Sequence, residues 1–270
     1  MMKSIVLFFV VLMMTNATVF AQSTDRNPQS LQKIDVNEQL GDTIPLDLQF
    51  TDHHGEQVAL GKYFHQGKPV LFTLVYYECP MLCTLVLNGL RKSVDSLDWT
   101  PGEEYQMVAV SIDPRETPEM ARSKHDAYLG SLEKEVSDNG WAFLVGEESQ
   151  SRALAEALGF QYYYVEEKGI YAHPAVSYVL TENGKITRYL YGINHQKRNL
   201  RLALLEGSQG KIGNAADKLL LYCYQYDPDA EGYVLFAQNL MKVGGVFTVA
   251  VLGSVLGVFW WRDSRKKETS

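Results

Sequence analysis

The feature that most constrains the fold is an apolar strand that runs directly into two cysteines at the start of a helix. The strand is the uninterrupted run Val70–Val75, which is typical of a strand covered on both faces. Cys79 and Cys83 follow it, and Pro80 suits the first turn of a helix because its missing N–H needs no partner there. Apolar residues at helical spacing come next: Leu82, Leu85, Val86 and Leu90. The stretch therefore predicts a strand, a tight turn and a helix that opens at the cysteines.

The spacing of the two cysteines indicates reactive chemistry. Residues four apart lie on one face of a helix, one turn from each other. A helix N-terminus lowers thiol pKa values and favours the thiolate. Two neighbouring thiolates can exchange with a disulfide or hold a soft metal ion. A purely structural disulfide is the weakest interpretation, because so short a loop constrains the unfolded chain little.

The rest of the pattern predicts an α/β protein. A second buried strand covers Gln106–Ile112, and Thr117 is placed to cap the helix that follows. Asn183-Gly184 predicts a tight hairpin late in the chain, and Asp52–Gly55 is the turn of an early one. Strand–helix–strand–helix followed by a hairpin and a helix is the order of a thioredoxin-like fold. We therefore predict a thioredoxin-like domain at residues 41–206 that includes an N-terminal β-hairpin.

The N-terminus has the pattern of a secretory signal peptide. Lys3 precedes an apolar run from Ile5 to Met14, and Val19-Phe20-Ala21 is the small-residue pattern of a cleavage site. We therefore predict a signal peptide at residues 1–21, followed by a polar tether at residues 22–40.

A second apolar run, Val243–Trp261, predicts a C-terminal transmembrane helix. It has 19 residues and no charge, long enough at about 1.5 Å per residue to cross a hydrocarbon core of about 30 Å. Basic residues cluster after it: Arg262, Arg265, Lys266 and Lys267. The positive-inside rule places residues 262–270 in the cytoplasm as a tail. Residues 207–242 would be a juxtamembrane extension, and the domain would lie outside the inner membrane of a bacterial cell, where conditions are oxidising.

The net negative charge of the chain argues against nucleic acid as a partner. The formal net charge is −7 and the isoelectric point is near 5.4, and no basic block occurs before the C-terminal tail. We therefore expect no nucleic acid partner. Three cysteines in 270 residues also exclude a disulfide scaffold.

His173 completes a candidate metal site. It stands directly before the first strand of the late hairpin. In a thioredoxin-like sheet, the loop before that strand lies beside the cysteine turn, so His173 can reach the two sulfurs. Two thiolates and one imidazole suit Cu(I), and the same donors with a fourth ligand suit Cu(II) or Zn(II).

These motifs together resemble the SCO/SenC family. The resemblance is carried by Tyr76–Cys83, by Ser111-Ile112-Asp113-Pro114 with Thr117-Pro118, and by His173 before the hairpin of Asn183-Gly184. It implies a membrane-tethered thioredoxin-like domain that binds a copper ion, Cu(I) or Cu(II), through Cys79, Cys83 and His173. It also implies a metallochaperone role in assembling the copper centre of cytochrome c oxidase, by copper delivery, by thiol reduction, or by both. The partner would be the copper-bearing oxidase subunit or another periplasmic copper or thiol protein.

The chain departs from the family pattern in three places. Many members have an aspartate and a proline where this chain has Met81 and Thr84. Members typically carry an N-terminal membrane anchor, whereas here the predicted anchor is C-terminal. The cysteine and histidine positions are intact, and loss of the acid near the sulfurs should make the site softer and less charged.

Two alternatives use the same residues differently. In a thiol–disulfide oxidoreductase without a physiological metal, Cys79 attacks a partner disulfide, Cys83 resolves the mixed disulfide and His173 tunes the thiols. A peroxiredoxin-like peroxidase fits the cysteine position, but the chain lacks the Thr-x-x-Cys pattern that peroxide activation would use.

Other residues that could bind a metal or react are expected mainly to have structural or solvated roles. Met81 is expected to pack or to present an apolar surface, and Cys223 to be a buried or interfacial thiol. Asp113 either tunes the thiols or serves as a turn acid before Pro114. Three histidines are expected to be solvated: His53 and His54 in the early hairpin turn, and His125 on a helix.

Overall fold

The computed structural model describes residues 36–79, 82–209, 224–227, 232–235 and 237–268. Its strands are β1 (Gln49–Asp52), β2 (Gln57–Ala59), β3 (Val70–Val75), β4 (Gln106–Ser111), β5 (Trp141–Val145), β6 (Tyr163–Val165), β7 (Ile170–Ala172), β8 (Val176–Leu180), β9 (Ile186–Tyr191), β10 (Tyr224–Asp227) and β11 (Gly232–Leu235). Its helices are α1 (Leu82–Ser96), α2 (Pro118–Leu129), α3 (Glu148–Ala157), α4 (Lys197–Gly207) and α5 (Ala237–Glu268).

A seven-stranded mixed sheet forms the centre of the domain, in the order β2-β1-β5-β4-β3-β8-β9. Strands β3, β4 and β5 run parallel, whereas β1 and β8 pair antiparallel with them. Every residue of β3, β4 and β5 is buried, which explains their continuous apolar runs. The predicted α/β, thioredoxin-like architecture with an N-terminal hairpin, β1–β2, is confirmed.

The start of α2 and the turn between β8 and β9 lie where the sequence predicts them. The Thr117 side chain accepts a hydrogen bond from the Met120 N–H, and Pro118 occupies the first turn of α2. Gly184 has a φ of 76°, a conformation that glycine adopts without strain, so β8 and β9 can join through a tight turn.

The sheet register determines which loops meet. The last residues paired between β3 and β8 are Thr73 and Ser177. Because these strands are antiparallel, the turn after β3, with Cys79, and the segment before β8, with His173, leave the sheet at the same edge. The fold thus brings the two segments together from distant parts of the sequence.

The C-terminal part is described only in pieces. Strands β10 and β11 pair antiparallel, and the Arg198 guanidinium of α4 lies 5.0 Å from the ring centroid of Tyr224. Among the residues whose side chains the structure describes, no helix is sufficiently long and apolar to cross a membrane; the side chains of Val243 and of residues 259–268 in α5 are not described. The predicted signal peptide, most of the tether, Met81 and Cys223 lie outside the described residues.

Candidate metal and thiol site

The chain leaves β3 through a turn in which two hydrogen bonds hold the backbone of Cys79. The Cys79 N–H donates to the Tyr76 carbonyl, and the Thr84 hydroxyl donates to the Cys79 carbonyl, each at 3.3 Å. Cys79 is buried, with 7% of its surface exposed. Cys83 lies in the first turn of α1, and its side chain is outside the described residues. Strand β3 and helix α1 flank the turn as the sequence predicts, whereas Pro80 and Met81, where the helix was predicted to open, lie outside the described residues.

The buried carboxylate of Glu116 links this turn to the end of β4 by hydrogen bonds. One carboxylate oxygen, Oε1, accepts from the Glu78 N–H at 2.7 Å, and the other accepts from the Ser111 hydroxyl at 2.5 Å. Burial raises the pKa of Glu116, although the hydrogen bonds it accepts oppose that rise. No sequence signal singled out Glu116, because its partners become neighbours only in the folded chain.

Cys79 borders an open cleft with a volume of about 610 Å³. The other lining residues come from the same turn and from α2: Tyr77, Glu78, Met120, Ser123 and Lys124. A partner that enters the cleft would therefore meet the cysteine turn on one side and α2 on the other.

His173 lies beside the cysteine turn and is 6% exposed. Its ring packs edge-on against Tyr76, with ring centroids 5.9 Å apart. Its Nδ1 lies 2.9 Å from the Pro174 carbonyl oxygen. A carbonyl can only accept, so Nδ1 carries the proton and the lone pair of the neutral ring is on Nε2. Tyr76 thus connects the two segments that carry the predicted ligands.

Arg115 ties the neighbouring hairpin β6–β7 to the end of β4. Its guanidinium donates to both carboxylate oxygens of Asp113, at 2.8 and 2.6 Å. The same guanidinium lies 4.9 Å from the ring centroid of Tyr164 and 5.9 Å from that of Tyr171. Tyr171 in turn packs on Tyr76, at 5.7 Å between centroids. Asp113 therefore pairs with Arg115, a residue that sequence reasoning missed.

Two of the three histidines predicted to be solvated are buried instead. His53 and His125 are buried, with 1% and 3% of their surfaces exposed, and their rings stack at 3.8 Å between centroids. Burial lowers the pKa of His53 to about 4. Only the His54 side chain is exposed, at 42%. The prediction was wrong for the buried pair because the β1–β2 turn folds against α2, a contact that local sequence does not encode.

A family model described as SCO1/SenC matches residues 37–204. That match covers well over half of the chain. The chain belongs to the SCO1/SenC family. The resemblance inferred from the cysteine, Asp-Pro and histidine motifs is therefore confirmed.

Solved structures to which the chain is similar come from different organisms. An Aquifex aeolicus VF5 protein named for a role in electron transfer is 26% identical, with a TM-score of 0.56, over 63% of this chain and 95% of that chain. Arabidopsis thaliana ScoI, solved with copper bound, is 19% identical, with a TM-score of 0.48, over 64% of this chain and 97% of that chain. BsSco, described as a member of the Sco family of cytochrome c oxidase assembly proteins, is 16% identical, with a TM-score of 0.46, over 67% of this chain and 98% of that chain. No curated protein sequence matches the chain.

Proposed function

We propose that this SCO1/SenC protein binds copper through Cys79, Cys83 and His173 and assists assembly of the copper centre of cytochrome c oxidase. The observation that carries the proposal is the meeting of the cysteine turn and the His173 segment at one sheet edge, joined through Tyr76. Family membership supports the same conclusion, since copper binding and oxidase assembly are what the resemblance implies.

The described donors fit a soft copper ion. Hydrogen bonding of Nδ1 to the Pro174 carbonyl leaves the His173 lone pair on Nε2, the arrangement that ligating histidines usually have. Cys79 supplies a sulfur that is mostly shielded from water. Thiolate and imidazole donors together suit Cu(I), and a fourth donor would suit Cu(II).

The redox state of the cysteines and the position of the turn would control copper binding and release. Both cysteines must be reduced, so the disulfide form carries no copper. Glu116 holds the turn through the Glu78 N–H, which keeps the sulfur of Cys79 at the cleft. A client that docks in the cleft can offer its own ligands and take the ion by stepwise ligand exchange.

Thiol reduction is the second candidate function, favoured by the open cleft at Cys79. The Cys79 thiolate attacks a client disulfide, a mixed disulfide forms and one client thiolate leaves. The Cys83 thiolate then attacks the Cys79 sulfur, which closes the Cys79–Cys83 disulfide and releases the second client thiolate. Two electrons pass from the cysteine pair to the client, whose two cysteines end reduced.

We also propose that the protein is attached to the inner membrane by α5, with its domain on the extracytoplasmic side. The uncharged run Val243–Trp261 and the basic residues after it support this orientation. Large apolar side chains on α5 are exposed, among them Val246, Phe247 and Leu256. Such a surface is costly in water and favours an apolar surrounding.

Anaerobic titration with Cu(I) against a competing chelator tests the copper proposal. The reduced full-length protein should bind one equivalent tightly, and His173→Ala and Cys83→Ser should each weaken binding by about 100-fold or more, because losing a ligand costs more than losing an outer partner. Cys223→Ser is the matched control for loss of a thiol and should bind like wild type.

Disulfide-exchange activity separates the two functions. If His173→Ala binds Cu(I) as tightly as wild type while both proteins reduce a model disulfide equally, copper binding through His173 is excluded and the oxidoreductase function stands.

A further inference from the structure

A second group of metal-ligating side chains lies at the β1–β2 turn, apart from the cysteines. It consists of His53 and His54 in the turn and Asp138 in a short 3₁₀ turn before β5. One ligand atom from each residue lies within 4.8 Å of the others. Neither copper delivery nor thiol exchange uses these residues.

The distances around this group suit one small cation. His54 Nε2 lies 2.7 Å from Asp138 Oδ2, and His53 Nε2 lies 3.9 Å from the same oxygen. Ligands bound at about 2.0–2.2 Å in tetrahedral geometry lie roughly 3.4 Å from each other. The two distances to Asp138 Oδ2 fall on either side of that value, and all three ligand atoms lie within 4.8 Å of one another.

His53 has an unsatisfied ring atom that faces this space. The residue is 1% exposed, and no described group forms a hydrogen bond with its Nε2. On the other side of the ring, the Phe143 N–H donates to Nδ1 at 3.4 Å, a long contact. Binding of a cation at Nε2 would move the ring proton to Nδ1 and give up that contact. A buried polar atom without a partner is costly, and an ion at Nε2 would supply that partner in exchange for the long contact at Nδ1.

The backbone that carries the two histidines is held in place. Asp52 Oδ1 accepts from the His54 N–H at 3.0 Å. Arg122 on α2 donates to the carbonyl oxygens of both His53 and His54, each at 2.9 Å. Residues whose backbone is fixed in this way need little reorganisation to bind an ion.

His125 fixes the other side of the group. Its ring stacks on His53 with an interplanar angle of 12°. Its Nε2 lies 2.9 Å from the Asp138 carbonyl oxygen, so it donates there and holds the segment that carries the carboxylate. Contacts of this kind orient ligands in metal proteins.

We propose that His53, His54 and Asp138 bind a divalent transition-metal ion, with a fourth coordination position open to solvent. Two imidazoles and one carboxylate form a donor set of the kind that binds Zn²⁺ in sites with an open position. The exposed sides of His54 and Asp138, at 42% and 55%, provide the entry path. The carboxylate makes the site harder than a thiolate site, so it selects a divalent ion rather than Cu(I).

Zn²⁺ titration tests the site independently of the proposed copper function. Full-length protein carrying Cys79→Ser and Cys83→Ser serves as the parent, because it lacks the thiol donors. The parent should take up one equivalent of Zn²⁺ in competition with a chromophoric chelator. His54→Ala and Asp138→Asn should each weaken binding by about 100-fold or more. His65→Asn should bind like the parent, since His65 has a φ of 58°, which asparagine also adopts readily.

Thermal unfolding supplies a second measurement. Zn²⁺ should raise the Tm of the parent and of His65→Asn, but not that of His54→Ala or Asp138→Asn. Both replaced side chains are exposed, so far-UV circular dichroism should show the fold retained. If the parent binds no stoichiometric Zn²⁺, or if both variants bind as tightly as the parent, the inference is wrong.

Discussion

Glu116 shows how one buried carboxyl can organise a reactive turn. It receives hydrogen bonds from the Glu78 N–H and the Ser111 hydroxyl, so its position determines where the turn with Cys79 sits. Its burial favours the protonated acid, and its pKa is raised above the ordinary value of 4.5. The folded state therefore binds this proton more tightly than the unfolded chain does.

Replacing Glu116 should change how stability depends on pH. Between pH 4.5 and the raised pKa of Glu116, the folded state binds more protons than the unfolded chain. The stabilisation that Glu116 contributes is therefore present at low pH and is lost as pH rises. Glu116→Gln stays neutral and lacks this dependence. We therefore expect the unfolding free energy of wild type minus that of Glu116→Gln to fall between pH 4 and pH 7, measured by urea denaturation. A flat difference for Glu116→Gln would contradict the prediction.

At the scale of elements, buried strands and capped helices could be predicted, because their signals are local. Continuous apolar runs marked β3 and β4, and Thr117-Pro118 marked the start of α2. The burial of His53 and His125 could not be predicted, because each ring is covered by the element that carries the other. Arg115 was missed for a related reason, since its aromatic partners follow it by about fifty positions in the chain.

The β6–β7 hairpin should depend on Arg115. Arg115→Ala removes the guanidinium that bridges Asp113 to Tyr164 and Tyr171, so residues 163–172 should exchange amide hydrogens faster. Cu(I) affinity should fall by about tenfold, the lower end of losses for groups that hold a ligand in place. The unfolding free energy should change little, because the Arg115 side chain is 59% exposed. Hairpin exchange in Arg115→Ala that equals exchange in wild type would refute this role.

Helix α1 packs too closely on the chain after β9 to accept a side chain at Gly89. A Cβ at Gly89 would lie 1.5 Å from the Ile193 carbonyl oxygen. Gly89→Ala should therefore lower the unfolding free energy by about 1–3 kcal/mol or more, although alanine favours helix by about 1 kcal/mol. Gly244→Ala on α5 is the matched control, since no described atom lies within 4 Å of its Cβ. A neutral Gly89→Ala in urea denaturation would show that α1 and this loop are not in contact.

For the whole molecule, family membership and the thioredoxin-like fold followed from the sequence, because the cysteine turn, the Asp-Pro motif and His173 stand in the order of the family pattern. The proposed copper donors depend on a meeting of β3 and β8 that the thioredoxin-like order predicts. The group of His53, His54 and Asp138 could not be predicted in this way. Its members come from two separate loops, and α2 covers the group without contributing a ligand.

Removing α5 should separate the domain from the membrane. A chain that ends at Phe236 lacks the apolar run Val243–Trp261, so we expect it in the soluble extracytoplasmic fraction, whereas the full chain should sediment with membranes after a high-salt wash. Immunodetection in the two fractions measures this. If the shortened chain remains with the membranes, α5 is not the anchor.

The two arms of the proposed copper site differ in how firmly they are held. Cys79 sits on a turn that hydrogen bonds fasten to the sheet core, whereas His173 follows β7, a strand of three half-buried residues. Local opening costs least where few buried contacts must be broken. When the ion passes to a client, His173 should therefore dissociate from it first. Cys79 should stay bound until the client's own ligands are in place.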